Sequence, residues 1–269
     1  KQILKMSEAA PQIAILGAGI FVRTQYIPRL SEIADLVTVK AIWSRTEESA
    51  RTVAELAHVS EAETALSSYD LLLNHLPRRP IWAVAENYRF EPAFVKCKKL
   101  MSDIGDMMSV QVIVEGSMNS TNPYFSSSWR RDFTGGFILD MGVHFIAGLR
   151  MVVGCEVTTV SAVTSHVDTS LPPPDNISAL FRLENGCAGV FVMIVSAKSP
   201  KIFWRVVGSK GTLQVERGNV DEKHGYLDGG SYAADPRSSF IEGARDIAVL
   251  EAMLESGTKQ GAEVNVKKL

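Results

Sequence analysis

The hydrophobic period of this sequence changes close to Gly105, and that change limits the folds open to it. Before it, short apolar runs alternate with helical stretches. Residues 12–16 form an apolar run ending in Gly17-Ala18-Gly19, which reads as a buried strand meeting a glycine turn. Residues 20–30 follow with helical spacing, and Pro28 kinks or ends that helix. Residues 36–43 read as a second strand and 81–85 as a third. Residues 46–58, with Val53, Leu56 and Ala57 on one stripe, read as a helix, as do 60–73 and 92–102. Beyond Gly105 the strands follow one another at 107–115, 157–167, 177–183, 187–195, 202–207 and 212–215. The last two are joined by a hairpin turn at Gly208-Ser209-Lys210-Gly211. A polar loop over 117–131 and a helix running to about Val153 interrupt the strands, and an amphipathic helix spans 239–255.

Alternating β and α followed by a run of strands predicts two domains. We expect an α/β, Rossmann-like domain over 6–104 with an incomplete parallel sheet. An α+β domain over 105–269, with a largely antiparallel open sheet, should follow. One face of that sheet should carry the 135–153 helix. The other should carry alternating apolar residues open to a partner, and Ile177, Ala179, Phe181 and Leu183 share one side of their strand.

Composition narrows the function classes. Hydrophobic residues make up 46% of the chain, enough for a real core, and 28 Lys and Arg against 30 Asp and Glu leave a net charge of −2. That balance gives no reason to expect a nucleic-acid or membrane partner. Cys97, Cys155 and Cys187 are scattered without paired spacing, which argues against a disulfide framework or a metal site and for reduced thiols in the cytoplasm. We read no apolar run as long enough to span a bilayer and no secretory segment, and Met6-Ser-Glu-Ala-Ala-Pro looks like a natural start.

Two motifs carry chemistry. Gly17-x-Gly19 between strand and helix is the arrangement that cradles a pyrophosphate, although the third glycine position of the pattern is Val22. At the end of the second strand, where an acidic residue would bond a ribose 2′-hydroxyl, stand Ser44 and Arg45. A hydroxyl and a guanidinium suit a 2′-phosphate and favour NADP, with NAD possible. Ser44 with Glu47 also forms a capping box, so the same residues serve a helix start. The second motif is Gly135-Gly136-Phe-Ile-Leu-Asp140-Met-Gly-Val-His144. Asp140 and His144 lie one helical turn apart, where a carboxylate can orient an imidazole for proton transfer. A buried, hydrogen-bonded histidine gives the same spacing.

Together these pieces resemble the glucose–fructose oxidoreductase/inositol dehydrogenase (Gfo/Idh/MocA) family. The matching residues are Gly17-Ala18-Gly19, Ser44-Arg45, Glu86-Asn87-Tyr88-Arg89-Phe90, Trp129-Arg130, and Gly135-Gly136 with Asp140 and His144. The stretch from Ser126 to His144 looks like the plant branch. The resemblance implies hydride transfer between a nicotinamide and a sugar, inositol or related polyol, and a homo-oligomer formed through the second domain's sheet. His144 would exchange the substrate proton and Asp140 would hold the substrate or the ring. Trp129, Arg130, Tyr88 and Arg89 would line the substrate cleft between the domains. Gly17, Gly19, Ile20, Phe21, Ser44 and Arg45 would bind the nucleotide. The chain departs from the family in lacking its Glu-Lys-Pro tripeptide and in the small number of strands before Gly105, both of which place missing residues near His58–Val59, either lost from a shortened gene product or belonging to a longer chain of which these residues are a part. A second shortening falls near Leu227–Asp228. A non-catalytic relative that binds or oligomerises is the alternative.

Overall fold

The computed structural model describes residues 10–59, 65–66, 81–133, 135–218 and 236–269. The chain divides into two compact units, residues 1–81 and 82–269. The division falls earlier than the 104/105 boundary expected from the sequence. The reason is packing: Phe94 and Cys97, on α3 (Pro92–Leu100), are buried in the same core as Val110, Val112 and Trp204.

Among its described residues the first unit holds three parallel strands in the order β1–β2–β3: β1 (Gln12–Leu16), β2 (Thr38–Trp43) and β3 (Ala65–Leu66). Ala65 and Leu66 fall where the sequence suggested a helix over 60–73, and the rest of that stretch lies outside the described residues. Among the described residues, β1 pairs only with β2. A π-helical turn, Val22–Tyr26, runs directly into α1 (Ile27–Glu32), so Pro28 lies within a continuous helical run, next to its π-helical irregularity, and does not end it. The α2 helix (Glu47–Leu56) buries Ala50, Val53 and Ala54 against Ile15 and Ile42, while Leu56 is exposed. Its cap is Thr46, whose hydroxyl accepts from the Ser49 N–H, rather than the Ser44/Glu47 box.

The second unit is a seven-stranded sheet with helices on one face. Its strands are β4 (Met107–Ser117), β5 (Val157–Ser165), β6 (Asn176–Leu183), β7 (Ala188–Ile194), β8 (Ser196–Gly208), β9 (Thr212–Glu216) and β10 (Val264–Asn265), in the order β10–β5–β6–β7–β4–β8–β9. Among the described residues of this sheet, only the β4–β7 pair is parallel. Residues 81–85, expected as a strand, have no regular structure and lead through Glu86 into a 3₁₀ turn at Asn87–Arg89. A short helix, α4 (Ser128–Asp132), stands in the polar loop.

Two long helices cover the sheet, α5 (Gly136–Val153) and α6 (Phe240–Thr258). The α5 helix is long and apolar enough to cross a bilayer, contrary to the sequence reading. It is nonetheless a core helix: Phe137, Ile138, Phe145, Ile146 and Leu149 are buried together with Val112, Phe191 and Leu250. Ile177, Ala179, Phe181 and Leu183 also belong to this covered side, correcting their expected place on the open face. The open face carries the alternate residues of each strand. Register aligns Val163, Ser178, Val192, Ile113 and Phe203 in one row, and Ser161, Leu180, Val190, Gln111 and Arg205 in the next.

Candidate functional site

In the first unit, β1 and β2 end side by side, Leu16 opposite Trp43, so the turn Gly17–Gly19 and the pair Ser44–Arg45 share one sheet edge. The Gly17 N–H donates to the Trp43 carbonyl at 2.7 Å, and Gly17 has φ +118°, a conformation glycine adopts without strain. A Cβ built on Gly17 or Gly19 would meet nothing within 4 Å, so the backbone there is open to close approach. The Arg23 N–H bonds back to the Gly19 carbonyl, which makes Gly19 the start of the helical run. The first-turn N–H groups of Ile20, Phe21 and Val22 have no intrahelical acceptor. Phe21 and Arg45 are exposed and Ser44 is half-buried. These residues fit a pyrophosphate at the turn and an anionic group near Arg45.

In the second unit, Gly135 and Gly136 both have positive φ at the N-terminus of α5. A Cβ on Gly135 would stand 2.8 Å from Leu254, and one on Gly136 would stand 2.8 Å from Pro172. The glycine pair therefore sets how α5 begins, and with it the direction of Asp140 and His144.

Those two side chains take different partners. The Asp140 Oδ2 accepts from Arg130 Nε at 2.7 Å, not from His144. The His144 Nδ1 lies 2.6 Å from Oε2 of Glu86, a residue the sequence reading quoted but gave no role. Glu86 is 5% exposed, while the His144 side chain is 41% exposed. The other oxygen of Glu86 accepts the Tyr88 N–H at 3.0 Å, capping the 3₁₀ turn. No spacing rule links Glu86 to a histidine 58 residues downstream. Only the packing of the turn against α5 does so.

Tyr88 stacks on His144, with centroids 5.4 Å apart and planes 28° apart, and on its other sides meets Phe94, Phe145 and Trp204. Burial pushes its phenol pKa above the ordinary value. The Arg130 guanidinium lies over the rings of Trp129, at 4.2 Å, and Tyr124, at 4.8 Å, and also donates to Ser127 Oγ. Trp129 is 46% exposed and stacks on Phe133. The second unit thus gathers His144, Glu86, Tyr88, Asp140, Arg130 and Trp129 along one side of α5 and the segments packed on it.

Arg89 does not join them. It is buried, and its guanidinium pairs with Asp246 and donates to the Glu242 carbonyl. Asp246 also accepts from Arg150 Nη1 at 2.7 Å, and Arg150 makes a two-pronged pair with Glu156 and a further bond to Glu242. Burial alone would loosen the Arg150 proton, but Glu156 and Asp246 bind it so strongly that its pKa lies above that of an ordinary arginine. Arg89 therefore fastens the Tyr88 turn to α6. Among the described residues no cluster of three or more His, Cys, Asp or Glu could hold a metal ion.

Comparison with known proteins agrees with this architecture. Residues 94–214 match the family model described as GFO/IDH/MocA C-terminal domain. Dehydrogenase FPY6 of Fusarium mangiferae is 27% identical, with 95% of this chain and 99% of that protein covered. That alignment runs over 346 positions, more than the 269 residues present here, so gaps in this chain bridge part of it. An oxidoreductase from Thermotoga maritima superimposes with a TM-score of 0.76 at 24% identity, covering 96% of this chain and 99% of that one. The WlbA dehydrogenase from Bordetella pertussis, solved with NADH and UDP-GlcNAcA, superimposes with a TM-score of 0.76 at 15% identity, covering 97% of this chain and 100% of that one. The fold is that of a two-part oxidoreductase with a small parallel sheet and a larger, mostly antiparallel one. Residues 94–214 match the C-terminal domain of the GFO/IDH/MocA family, and the described chain shares the fold of the solved oxidoreductases. These fungal and bacterial relatives lend no support to the plant branch.

Proposed function

We propose that this protein is a nicotinamide-dependent oxidoreductase acting on a hydroxyl-bearing carbon of a sugar or polyol, with His144 exchanging the hydroxyl proton. The observation that carries this reading is a half-exposed imidazole held by a buried carboxylate, beside a carboxylate–guanidinium pair and an exposed tryptophan. Relatives described as dehydrogenases, one of them holding NADH and a UDP-sugar, support it. When bound, the nicotinamide supplies the hydride acceptor. His144 takes the proton of the substrate hydroxyl, Asp140 and Arg130 offer an acceptor and a cation to neighbouring hydroxyls, and Trp129 and Tyr88 present ring faces to the sugar's apolar side. The glycine turn, Ile20 and Phe21 would hold the pyrophosphate. Ser44 and Arg45 would take a 2′-phosphate, which favours NADP over NAD.

Titration with NADPH and NADH, followed by cofactor fluorescence, tests the first half of this reading. Turnover of a polyol panel by wild type and His144→Ala tests the second. Binding with NADP-linked turnover that His144→Ala abolishes is the expected result. Absence of turnover with either cofactor would sink the proposal.

A second reading is a non-catalytic relative. The sequence has no Glu-Lys-Pro tripeptide, β1 pairs only with β2 among the described residues, and the FPY6 alignment is bridged by gaps. In either case the apolar row on the open sheet face suits a homo-oligomer, and the three free thiols suit a cytoplasmic location.

A further inference from the structure

We propose that Glu86 is the positioning residue of His144, fixing which ring nitrogen carries the proton and so leaving Nε2 as the atom that exchanges it. Three observations converge on this assignment. The Glu86 carboxylate is buried while the imidazole it touches is half-exposed, so the contact defines the inner edge of the ring. The two carboxylate oxygens are divided between fixed partners: Oε1 takes the Tyr88 N–H, and Oε2 faces His144 Nδ1 at 2.6 Å. The Tyr88 ring, stacked against the imidazole and wedged among Phe94, Phe145 and Trp204, blocks rotation of the ring away from that contact.

An ionised carboxylate can only accept, so the neutral imidazole must carry its proton on Nδ1. Nε2 then has a free lone pair, the state needed to take a proton from a hydroxyl. Asp140, the carboxylate one helical turn from His144, is engaged with Arg130 and takes no part in setting the tautomer. The catalytic meaning of the assignment rests on the proposed function; the tautomer itself does not.

Substitution by glutamine gives a sharp test because it keeps the shape and inverts the hydrogen bond. In Glu86→Gln the amide oxygen remains the acceptor for the Tyr88 N–H, so the amide NH₂ faces Nδ1 and donates to it. Nδ1 must then be bare and the proton must move to Nε2. The measurement is the pair of ring-nitrogen resonances of His144 in ¹⁵N-histidine-labelled full-length chain, at a pH where the ring is neutral. The resonances are assigned by their loss in His144→Gln.

The expected result is a protonated Nδ1 and bare Nε2 in wild type, the reverse in Glu86→Gln, and the wild-type pattern in Asp140→Asn. An Nε2-protonated ring in wild type, an unchanged ring in Glu86→Gln, or a reversed one in Asp140→Asn would overturn the assignment. Where turnover is measurable, Glu86→Gln should lower kcat by on the order of tenfold to a hundredfold with KM little changed, and Glu86→Asp should restore part of it. The wild-type tautomer in a chain that turns over no polyol would end the proposed function while upholding the role of Glu86.

Discussion

Asp175 shows how much one side chain can hold in place. It is fully buried at the start of β6, and its carboxylate accepts the Val167 and Asp168 N–H groups at 2.9 and 2.7 Å and the Asn176 amide at 2.8 Å. Burial pushes its pKa up, but the backbone N–H groups of Asp168 and Val167 and the side chains of Asn176 and Ser196 pull it lower still, below the usual carboxylate range. A depressed folded pKa means stabilisation that is present above the ordinary carboxylate pKa and lost as pH falls through the lower, folded value. Asp175→Asn should therefore cost about 1–3 kcal/mol in urea unfolding near neutrality. The gap to wild type should shrink as the acid range is entered; a gap that widens there would contradict this account. Arg45 is a simpler case. If it meets a 2′-phosphate, Arg45→Ala should narrow the NADP/NAD affinity ratio by about tenfold or more, read from paired fluorescence titrations. Much of the site was legible at this scale, since Asp140, His144, Trp129 and Arg130 all stand out by motif. Glu86 was not, because a carboxylate reaching a histidine across a turn-to-helix contact leaves no periodic trace in sequence.

Among the elements, the clamp between α5 and α6 is the most exacting. Asp246 on α6 receives guanidinium groups from Arg150 on α5 and from Arg89 beside the Tyr88 turn, and all three are buried. Removing the carboxylate would strip Arg89 of its ionic partner and leave Arg150 with Glu156 and Glu242 alone. Asp246→Ala should destabilise by about 3–5 kcal/mol in chemical denaturation, more than substituting a half-buried member of the network such as Arg245. A loss under 1 kcal/mol would show that Glu242 and Glu156 suffice to hold both arginines. Sequence periodicity found α5, α6 and the strands β4 to β9, because each has a face that must be apolar, and missed the two-residue β10. It failed at short or irregular pieces. Ala65–Leu66 borrows its strand character from pairing with β2, the apolar residues 81–85 join no strand ladder, and Thr46 displaced Ser44 as the cap of α2. In each case a neighbour in space decided the outcome, and a local pattern does not record that neighbour.

For the molecule as a whole, the open face of the seven-stranded sheet has consequences for assembly. Leu180 and Val163 stand out from it at 62% and 65% exposure, with Val192, Ile113 and Phe203 half-buried between. If a second copy covers this face, wild type should run as a dimer or larger species in light scattering, and Leu180→Glu should shift it toward monomer. A monomeric wild type would remove the argument. The apolar character of α5 has an effect of another kind, on biosynthesis. This helix leaves the ribosome before β5 to β9 and before α6, whose Leu250 and Leu254 lie against its glycines. Roughly a hundred further residues must be made before its cover is complete, a delay of about 5–20 s at ordinary elongation rates. During that interval an eighteen-residue apolar segment is exposed to every factor that surveys nascent chains for membrane or chaperone clients. A nascent chain stalled before Phe240 should therefore crosslink to such factors, and one released after Thr258 should not.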